Sequence, residues 1–168
     1  LSTMAYALTG EEAIQHLQQK MASVNKISGT VNLTSDTGET MTGAFVYVKP
    51  NKFHIKFSNP SGKEIITNGR KLWVYNSASK ICGSQDLDTT FSGGLGGMIS
   101  GYPAILTSQR PDGFTLKLKD DTRFYTEIQL GLTRDFFPEK MVFRTKDGKG
   151  ISITLSNLNF SPRVIDSF

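Results

Sequence analysis

The 168-residue chain contains a single cysteine, two histidines and one tryptophan. One thiol cannot form an internal disulfide, and it cannot supply a cysteine-rich metal site. Cys82 is therefore expected to be a half-buried side chain that only contributes to packing. His16 and His54 have no metal-ligand spacing with each other or with Cys82, so no metal site is expected.

Long apolar runs and concentrated charge are also missing. No run approaches the roughly 18 apolar residues that a membrane-spanning helix needs. The net charge is +4, but the densest basic group, Lys117, Lys119 and Arg123, is interrupted by Asp120 and Asp121. This distribution indicates a diffuse basic surface rather than a nucleic-acid footprint, so no nucleic-acid partner is expected.

The recognisable catalytic motifs are missing as well. There is no G-x-S-x-G nucleophile elbow, and the glycines of residues 93–101 are not followed by the lysine of a phosphate-binding loop. The aspartate pairs 86/88 and 120/121 are better explained as turn and cap residues than as acid/base pairs. The sequence predicts neither an enzyme nor a cofactor.

One amphipathic helix is predicted near the start of the chain. Thr9 and Glu12 have the spacing of a capping box. Ile14, Leu17 and Met21 then recur at intervals of three and four residues and form one apolar stripe. This helix, at about residues 9–25, is expected to lie on an apolar surface.

From residue 27 onward the apolar period changes to two, which predicts about nine or ten antiparallel strands. Pro50 and Pro60 are expected at strand ends, and tight hairpin turns are expected at Asn68-Gly69 and Asp147-Gly148. So long a sheet with one apolar face must curl on itself or be covered. We predict a mainly β (α+β) fold built on a curved antiparallel sheet, in one domain spanning residues 1–168.

Between about residues 86 and 110 the alternation is lost, and glycines are mixed with large apolar side chains. Because glycine raises backbone freedom, this insert is expected to form a lid that can open. The apolar residues expected to face inward include Phe124. They form either a packed core or the wall of a ligand cavity. The movable lid favours a cavity, and its aromatic and branched walls suit acyl chains, for which each buried methylene contributes about 0.8 kcal/mol.

The stretch from Gly43 to Tyr75 contains the patterns G-x-F, K-P-x-x-F, x-x-P and N-G-x-x-L-W-x-Y. It resembles the periplasmic outer-membrane lipoprotein carriers, the LolA-like family related to LolB. The resemblance implies an incomplete β-barrel, covered by the first helix and the glycine-rich lid, that takes up the acyl chains of lipoproteins.

By position, the resemblance implies that Phe45, Tyr47, Phe53, Ile55 and Phe57 line the cavity and that Leu95, Met98 and Ile99 belong to the lid. The apolar alternation adds Phe114, Leu116, Ile128 and Phe143 to the expected cavity. The apolar stripe of the first helix adds Ile14, Leu17 and Met21 to the expected lid. In the family an arginine before the first proline acts as a latch that holds the lid shut. Lys49 occupies that position, and because it lacks the guanidinium fork it is either a weaker latch or an ordinary strand-end lysine.

By the same resemblance the protein is a periplasmic monomer. It would receive acylated lipoproteins from an inner-membrane lipoprotein-releasing ABC transporter and pass them to an outer-membrane acceptor. Two alternatives stay open: a lipid-sensing or lipoprotein-sensing module of an envelope-stress regulator, and a membrane-anchored LolB-type acceptor. The sequence begins at Leu1 without an initiating Met or a signal segment, as expected for a processed or truncated product. A lipid-bearing cysteine before Leu1 would favour the anchored acceptor.

Overall fold

The computed structural model describes residues 7–87 and 94–163. Within these residues the chain forms two helices, α1 (Gly10–Ser23) and α2 (Gly94–Ile99), and eleven strands. The strands are β1 (Lys26–Ser35), β2 (Thr40–Val48), β3 (Lys52–Asn59), β4 (Ser61–Thr67), β5 (Lys71–Asn76), β6 (Ile81–Asp86), β7 (Ala104–Arg110), β8 (Gly113–Lys119), β9 (Tyr125–Thr133), β10 (Pro138–Thr145) and β11 (Gly150–Asn159).

The strands form one antiparallel sheet in the order β6-β5-β4-β3-β2-β1-β11-β10-β9-β8-β7. Among the described strands, β6 and β7 are the two edges and do not pair with each other, so the sheet does not close. This confirms the predicted mainly β fold with an incomplete barrel. Pro50 and Pro60 lie outside the strands, as predicted, and each follows a cis peptide bond.

The lid segment predicted at about residues 86–110 overlaps a strand at its C-terminal end. Asp86 ends β6, and Ala104–Arg110 is the edge strand β7, which pairs with β8. The second half of β7 is polar, and its register shifts between Leu106 and Ser108, so it shows no clear apolar alternation. The part of the insert at residues 88–93 lies outside the described residues.

Helix α1 begins as its capping residues predict. Thr9 is the N-cap, with φ −88° and ψ 162°, and its hydroxyl oxygen accepts a hydrogen bond from the Glu12 amide at 3.1 Å. The Glu12 carboxylate in turn accepts from the Thr9 hydroxyl at 3.1 Å. The buried residues of the helix are Gly10, Ala13 and Leu17, so one face of α1 packs on the sheet.

The core consists of two clusters on the inner face of the sheet. The first, here called the helix-covered cluster, joins α1 and α2 to strands β7–β10. Its buried residues are Ala13, Leu17, Ile99, Tyr102, Ala104, Phe114, Leu116, Leu118, Ile128, Leu130, Leu132, Met141 and Phe143. The second, the strand cluster, consists of Val24, Ile27, Val31, Phe45, Ile55, Phe57 and Phe137. Met21, Ile153 and Leu155 pack against both clusters and connect them.

Two side chains predicted to be inside are exposed. Cys82 lies on β6, an edge strand whose residues are all exposed, so it is not half-buried filler. Phe124 continues the alternation of Ile128 and Leu130 in the sequence, but it precedes the first residue of β9 and is 65% exposed. The reason is that the inward direction of alternate residues holds only inside a strand.

Candidate acyl-chain hollow and its helical cover

Five of the predicted cavity residues come from the neighbouring strands β2 and β3. Phe45 pairs with Ile55 and Tyr47 pairs with Phe53, so these side chains point to the same face of the sheet. Phe45, Ile55 and Phe57 are buried, whereas Tyr47 and Phe53 are half-buried. The rings of Phe45 and Phe53 stack with a centroid distance of 5.8 Å. Burial raises the pKa of Tyr47, whose hydroxyl donates to the Pro50 carbonyl at 2.9 Å.

The other four predicted cavity residues, Phe114, Leu116, Ile128 and Phe143, lie on β8, β9 and β10. All four are buried in the helix-covered cluster, and Leu116 and Ile128 are fully inaccessible. The structure therefore divides the predicted set between the two clusters. In this closed conformation the four residues are core side chains, and an acyl chain reaches them only if the helices above them move.

The apolar inner face also continues onto β4 and β5. Ile55 pairs with Ile65, and Ile65 pairs with Val74, so these three side chains follow one another across the sheet. Ile65 and Val74 are half-buried, as is Leu72, two residues before Val74 on the same face. Sequence reasoning did not include these three in the cavity, although their spacing of two on either side of the Asn68-Gly69 turn was a usable signal. They form the partly exposed side of this apolar inner face, which we call the hollow and treat as the candidate site for an acyl chain.

All six predicted lid residues lie on the two helices and pack on the helix-covered cluster. Leu17 and Ile99 are buried. The remaining four, Ile14, Met21, Leu95 and Met98, are half-buried against the same cluster. The helices thus form a single cover over the β7–β10 half of the inner face.

Lys49 joins the end of β2 to the end of α1. Its ammonium donates a hydrogen bond to the Ala22 carbonyl at 2.8 Å, and its backbone amide donates to the Asn25 carbonyl at 2.7 Å. A cation beside the last carbonyls of a helix also interacts favourably with the helix dipole. The predicted latch residue therefore contacts the cover through one bond, where a guanidinium could form several.

A second polar contact holds the last turn of α1. The Lys20 ammonium lies 2.8 Å from the Asp135 carboxylate, which also accepts a hydrogen bond from the Thr133 hydroxyl. The Lys20 and Thr133 hydrogen bonds hold the pKa of Asp135 below its usual value. Sequence reasoning missed this pair, because Asp135 follows Lys20 by more than a hundred residues and no local pattern relates them.

The far end of α2 is held by a cluster that we call the Tyr102 clamp, made of Tyr102, Arg123, Asp120 and Tyr125. The Tyr102 hydroxyl donates to the Tyr125 carbonyl at 2.6 Å, and the Arg123 guanidinium lies 4.1 Å from the centre of the Tyr102 ring. Arg123 also donates to the Asp120 carboxylate at 3.2 Å. Hydrogen bonds from Thr122, followed by those from Arg123, lower the pKa of Asp120, while burial raises the pKa of Tyr102.

Two grooves lie away from the helical cover. One, of about 690 Å³, is lined near the β3–β4 turn by Lys56, Glu64 and Tyr75 of the outer face and also by Phe57, one of the predicted cavity residues. The other, of about 480 Å³, is lined by Lys119, Arg144 and Lys146 near the β8–β9 and β10–β11 turns. Neither groove was anticipated from the sequence, because each combines residues from separate hairpins.

In the part of the chain that the structure describes, no group of three or more His, Cys, Asp or Glu side chains is placed to hold a metal ion. Over the same residues, neither helix has the length and apolarity needed to cross a bilayer.

An unclosed antiparallel sheet with an apolar inner face under two helices defines an incomplete β-barrel with a helical cover. Comparison with protein families gives a match to the model of "Outer membrane lipoprotein carrier protein LolA" over residues 22–168. The chain belongs to this LolA family of lipoprotein carriers.

The similar sequences are distant relatives. The chain is 24% identical over 161 residues to an outer-membrane lipoprotein carrier protein of Halorhodospira halophila, covering 90% of this chain and 77% of the relative. It is 23% identical over 155 residues to one of Shewanella halifaxensis, covering 86% and 74% respectively.

Solved structures share the fold at lower identity. An uncharacterised conserved protein from Thermus thermophilus superposes with a TM-score of 0.63 at 12% identity, covering 92% of this chain and 88% of that one. MucB, in the MucA/MucB complex of Pseudomonas aeruginosa, gives 0.57 at 14% identity, covering 92% and 58%. At such identities the likeness establishes the fold alone.

Proposed function

We propose that this protein binds the acyl chains of lipoproteins in the hollow of its sheet and carries them from the inner to the outer membrane. The observation that carries the proposal is the apolar strip on the inner face. It runs from buried Phe45 and Ile55 to half-buried Ile65 and Val74 without a polar interruption. Membership of the LolA family supports the same function. Binding of this kind needs no covalent chemistry, so we propose a carrier rather than an enzyme.

Cargo would enter at the half-buried side and displace the helical cover. Phe53, Ile65, Leu72 and Val74 offer the first apolar contacts, because they are already partly accessible. Further acyl methylenes would then replace the side chains of α1 and α2 on the helix-covered cluster. Each methylene removed from water contributes about 0.8 kcal/mol, which offsets the loss of the helix contacts. Lys49 is proposed as the latch, since its bond to Ala22 has to break when α1 moves.

The proposed location is the periplasm, with the whole chain acting as one carrier domain. The proposed partners are acylated lipoproteins, an inner-membrane lipoprotein-releasing ABC transporter and an outer-membrane acceptor. The family and the names of the relatives support the lipoprotein cargo and the envelope location, whereas the transporter and the acceptor are proposed from the family resemblance. A monomer suffices for this function, because the hollow lies within one chain.

The test is binding of a fluorescent acyl probe by Phe53→Ala, with Tyr75→Ala as the matched control. Phe53 lies half-buried at the entrance to the hollow, whereas Tyr75 is 38% exposed and lines the groove on the outer face. We expect Phe53→Ala to weaken binding about tenfold, because the ligand would bury the exposed part of the Phe53 ring and this contributes about 1–1.5 kcal/mol. We expect Tyr75→Ala to have no effect. Equal affinities for the two variants would remove the hollow as the binding site. Transfer of a triacylated lipoprotein between membrane vesicles then tests the carrier step itself.

A sensor of lipids or lipoproteins is the second candidate, because MucB, which is solved in complex with MucA, has the same fold. That likeness is one of fold, whereas the family model is that of the carriers. The vesicle transfer assay separates the two functions. A carrier delivers its cargo to acceptor membranes, while a sensor retains the lipid and changes its affinity for a protein partner.

A further inference from the structure

Among the residues that the structure describes, the three most exposed large apolar side chains lie at one end of the sheet. Phe124, Ile81 and Ile105 are 65%, 64% and 63% exposed. Ile81 begins β6, Ile105 is the second residue of β7, and Phe124 directly precedes β9. In the observed antiparallel order these three strands run in the same direction, so their first residues are at the same end. We call this the Phe124 end.

The Phe124 end also contains the basic groove of about 480 Å³. Three of its lining side chains, Lys119, Arg144 and Lys146, are exposed and form no ion pair within residues 7–87 and 94–163. Two acidic side chains also line it. Glu127 is neutralised by Lys117 at 3.1 Å, which leaves Asp121 opposing the three cations. The groove therefore carries net positive charge.

The groove and Phe124 are adjacent in the sheet. Phe124 directly precedes Tyr125, which pairs with Thr145, and Thr145 lines the groove between Arg144 and Lys146. The Phe124 ring packs edge-on against the Tyr125 ring with a centroid distance of 4.9 Å. The rest of the Phe124 side chain is open to solvent. An exposed aromatic ring at the same end of the sheet as a cationic groove is a combination that can bind an interface of acyl chains and anionic headgroups.

We propose that the Phe124 end docks on the surface of an anionic phospholipid bilayer. The phosphate of a headgroup occupies the groove of Lys119, Arg144 and Lys146, while Phe124 enters the boundary between headgroups and acyl chains. Charge complementarity selects this occupant, because the groove is cationic and its neighbours are apolar. The proposal does not depend on the hollow: a protein that binds no acyl cargo would still dock in this way.

The first experiment is co-sedimentation of the full chain with phosphatidylcholine vesicles, with and without phosphatidylglycerol. The variant Lys119→Gln/Lys146→Gln is compared with Lys52→Gln/Lys140→Gln, which removes the same charge from two exposed lysines at the opposite end. We expect the protein to bind only the anionic vesicles, and salt to weaken that binding. Lys119→Gln/Lys146→Gln should reduce the affinity at least about tenfold, whereas Lys52→Gln/Lys140→Gln should not. Equal loss in both pairs would show a mere net-charge effect and would overturn the proposal.

The second experiment tests whether the side chain at position 124 enters the bilayer. Phe124→Trp and Phe160→Trp are made separately in a Trp73→Phe background, since Phe160 is 42% exposed just after β11, at the opposite end of the sheet. Brominated anionic vesicles are expected to quench the fluorescence of Phe124→Trp and leave that of Phe160→Trp unchanged. Absence of quenching in both would overturn the insertion of Phe124. Polyglutamate serves as the probe for an acidic protein partner. If the protein binds polyglutamate but not vesicles, and Lys119→Gln/Lys146→Gln loses that binding, the occupant is an acidic protein and the lipid assignment is overturned.

Discussion

At Gly10 helix α1 approaches the backbone of the sheet closely, and replacing Gly10 with alanine tests whether the cover depends on that approach. Gly10 is buried at the start of α1 against β7. A Cβ atom there would lie 2.1 Å from the Ala104 carbonyl oxygen, 2.5 Å from its carbon and 2.9 Å from the Ile105 nitrogen. All three are backbone atoms, so no side-chain rotation relieves the overlap.

The size of the effect follows from this geometry. Contacts of a Cβ below 3.0 Å essentially do not occur, so the start of α1 has to move away from β7 by about 0.9 Å. Overpacking of this kind costs about 1–3 kcal/mol. The higher helix propensity of alanine returns at most about 1 kcal/mol, and less in the first turn of a helix. Ala13 and Leu17, which follow on the same face and are fully buried, would lose part of their packing.

The assay compares Gly10→Ala with Gly97→Ala, because a Cβ at Gly97 meets no atom within 4 Å. Chemical denaturation should give a loss of about 1–2 kcal/mol in unfolding free energy for Gly10→Ala and none for Gly97→Ala. Amide exchange in α1 should become faster only in Gly10→Ala. Affinity for an acyl probe should rise in the same variant, because a destabilised cover competes less with the ligand. The reasoning is refuted if Gly10→Ala matches Gly97→Ala in stability and in α1 exchange.

Three further changes test the polar contacts of the cover. Lys49→Met removes the bond to the Ala22 carbonyl and should speed amide exchange in the last turn of α1 by about two- to fivefold; exchange as slow as in the control Lys52→Met would exclude a latch. Asp135→Asn should lower the unfolding free energy by under about 1 kcal/mol, because Asp135 is 63% exposed. Folding lowers the pKa of Asp135, so this contribution is present above the unfolded pKa and is lost as pH falls through the folded pKa. The unfolding free energies of wild type and Asp135→Asn should therefore become equal in acid. A difference between them that grows in acid would contradict this account. Tyr102→Phe loses the bond to the Tyr125 carbonyl and should destabilise the protein by about 1 kcal/mol, measured against Tyr75→Phe, with faster exchange in α2; an effect confined to α1 would argue against the clamp.

The features that sequence predicted correctly are those fixed by neighbouring residues. The N-cap of α1 depends on two side chains three residues apart, Thr9 and Glu12. The hairpin turns depend on Gly69 and Gly148, whose φ angles of +88° and +81° are rarely open to other residues. The alternation of Phe53, Ile55 and Phe57 sets the inner face of β3 in the same local way.

The features that sequence did not predict depend on partners distant in the chain. β7 is a strand because it pairs with β8, although its last four residues are polar. Cys82 is exposed because β6 is an edge strand, a property of the order of strands and not of its own residues. The resemblance singled out Lys49, yet only the folded chain shows that its ammonium meets the carbonyl of Ala22. Whether acyl chains reach the predicted cavity residues stays a prediction.

The division of the inner face suggests how one sheet can be both stable and available to cargo. The strand cluster is made by residues of β1–β3 together with Val24 and Phe137, so most of it stays intact when α1 and α2 move. The cover is held chiefly by the packing of Leu17 and Ile99 and by exposed polar contacts, such as those of Lys49 and Lys20. Such exposed contacts contribute under about 1 kcal/mol each, whereas a few buried methylenes contribute several. Under the proposed function, acyl methylenes must also replace the packing of Leu17 and Ile99, and we expect them to displace the cover without unfolding the sheet beneath it.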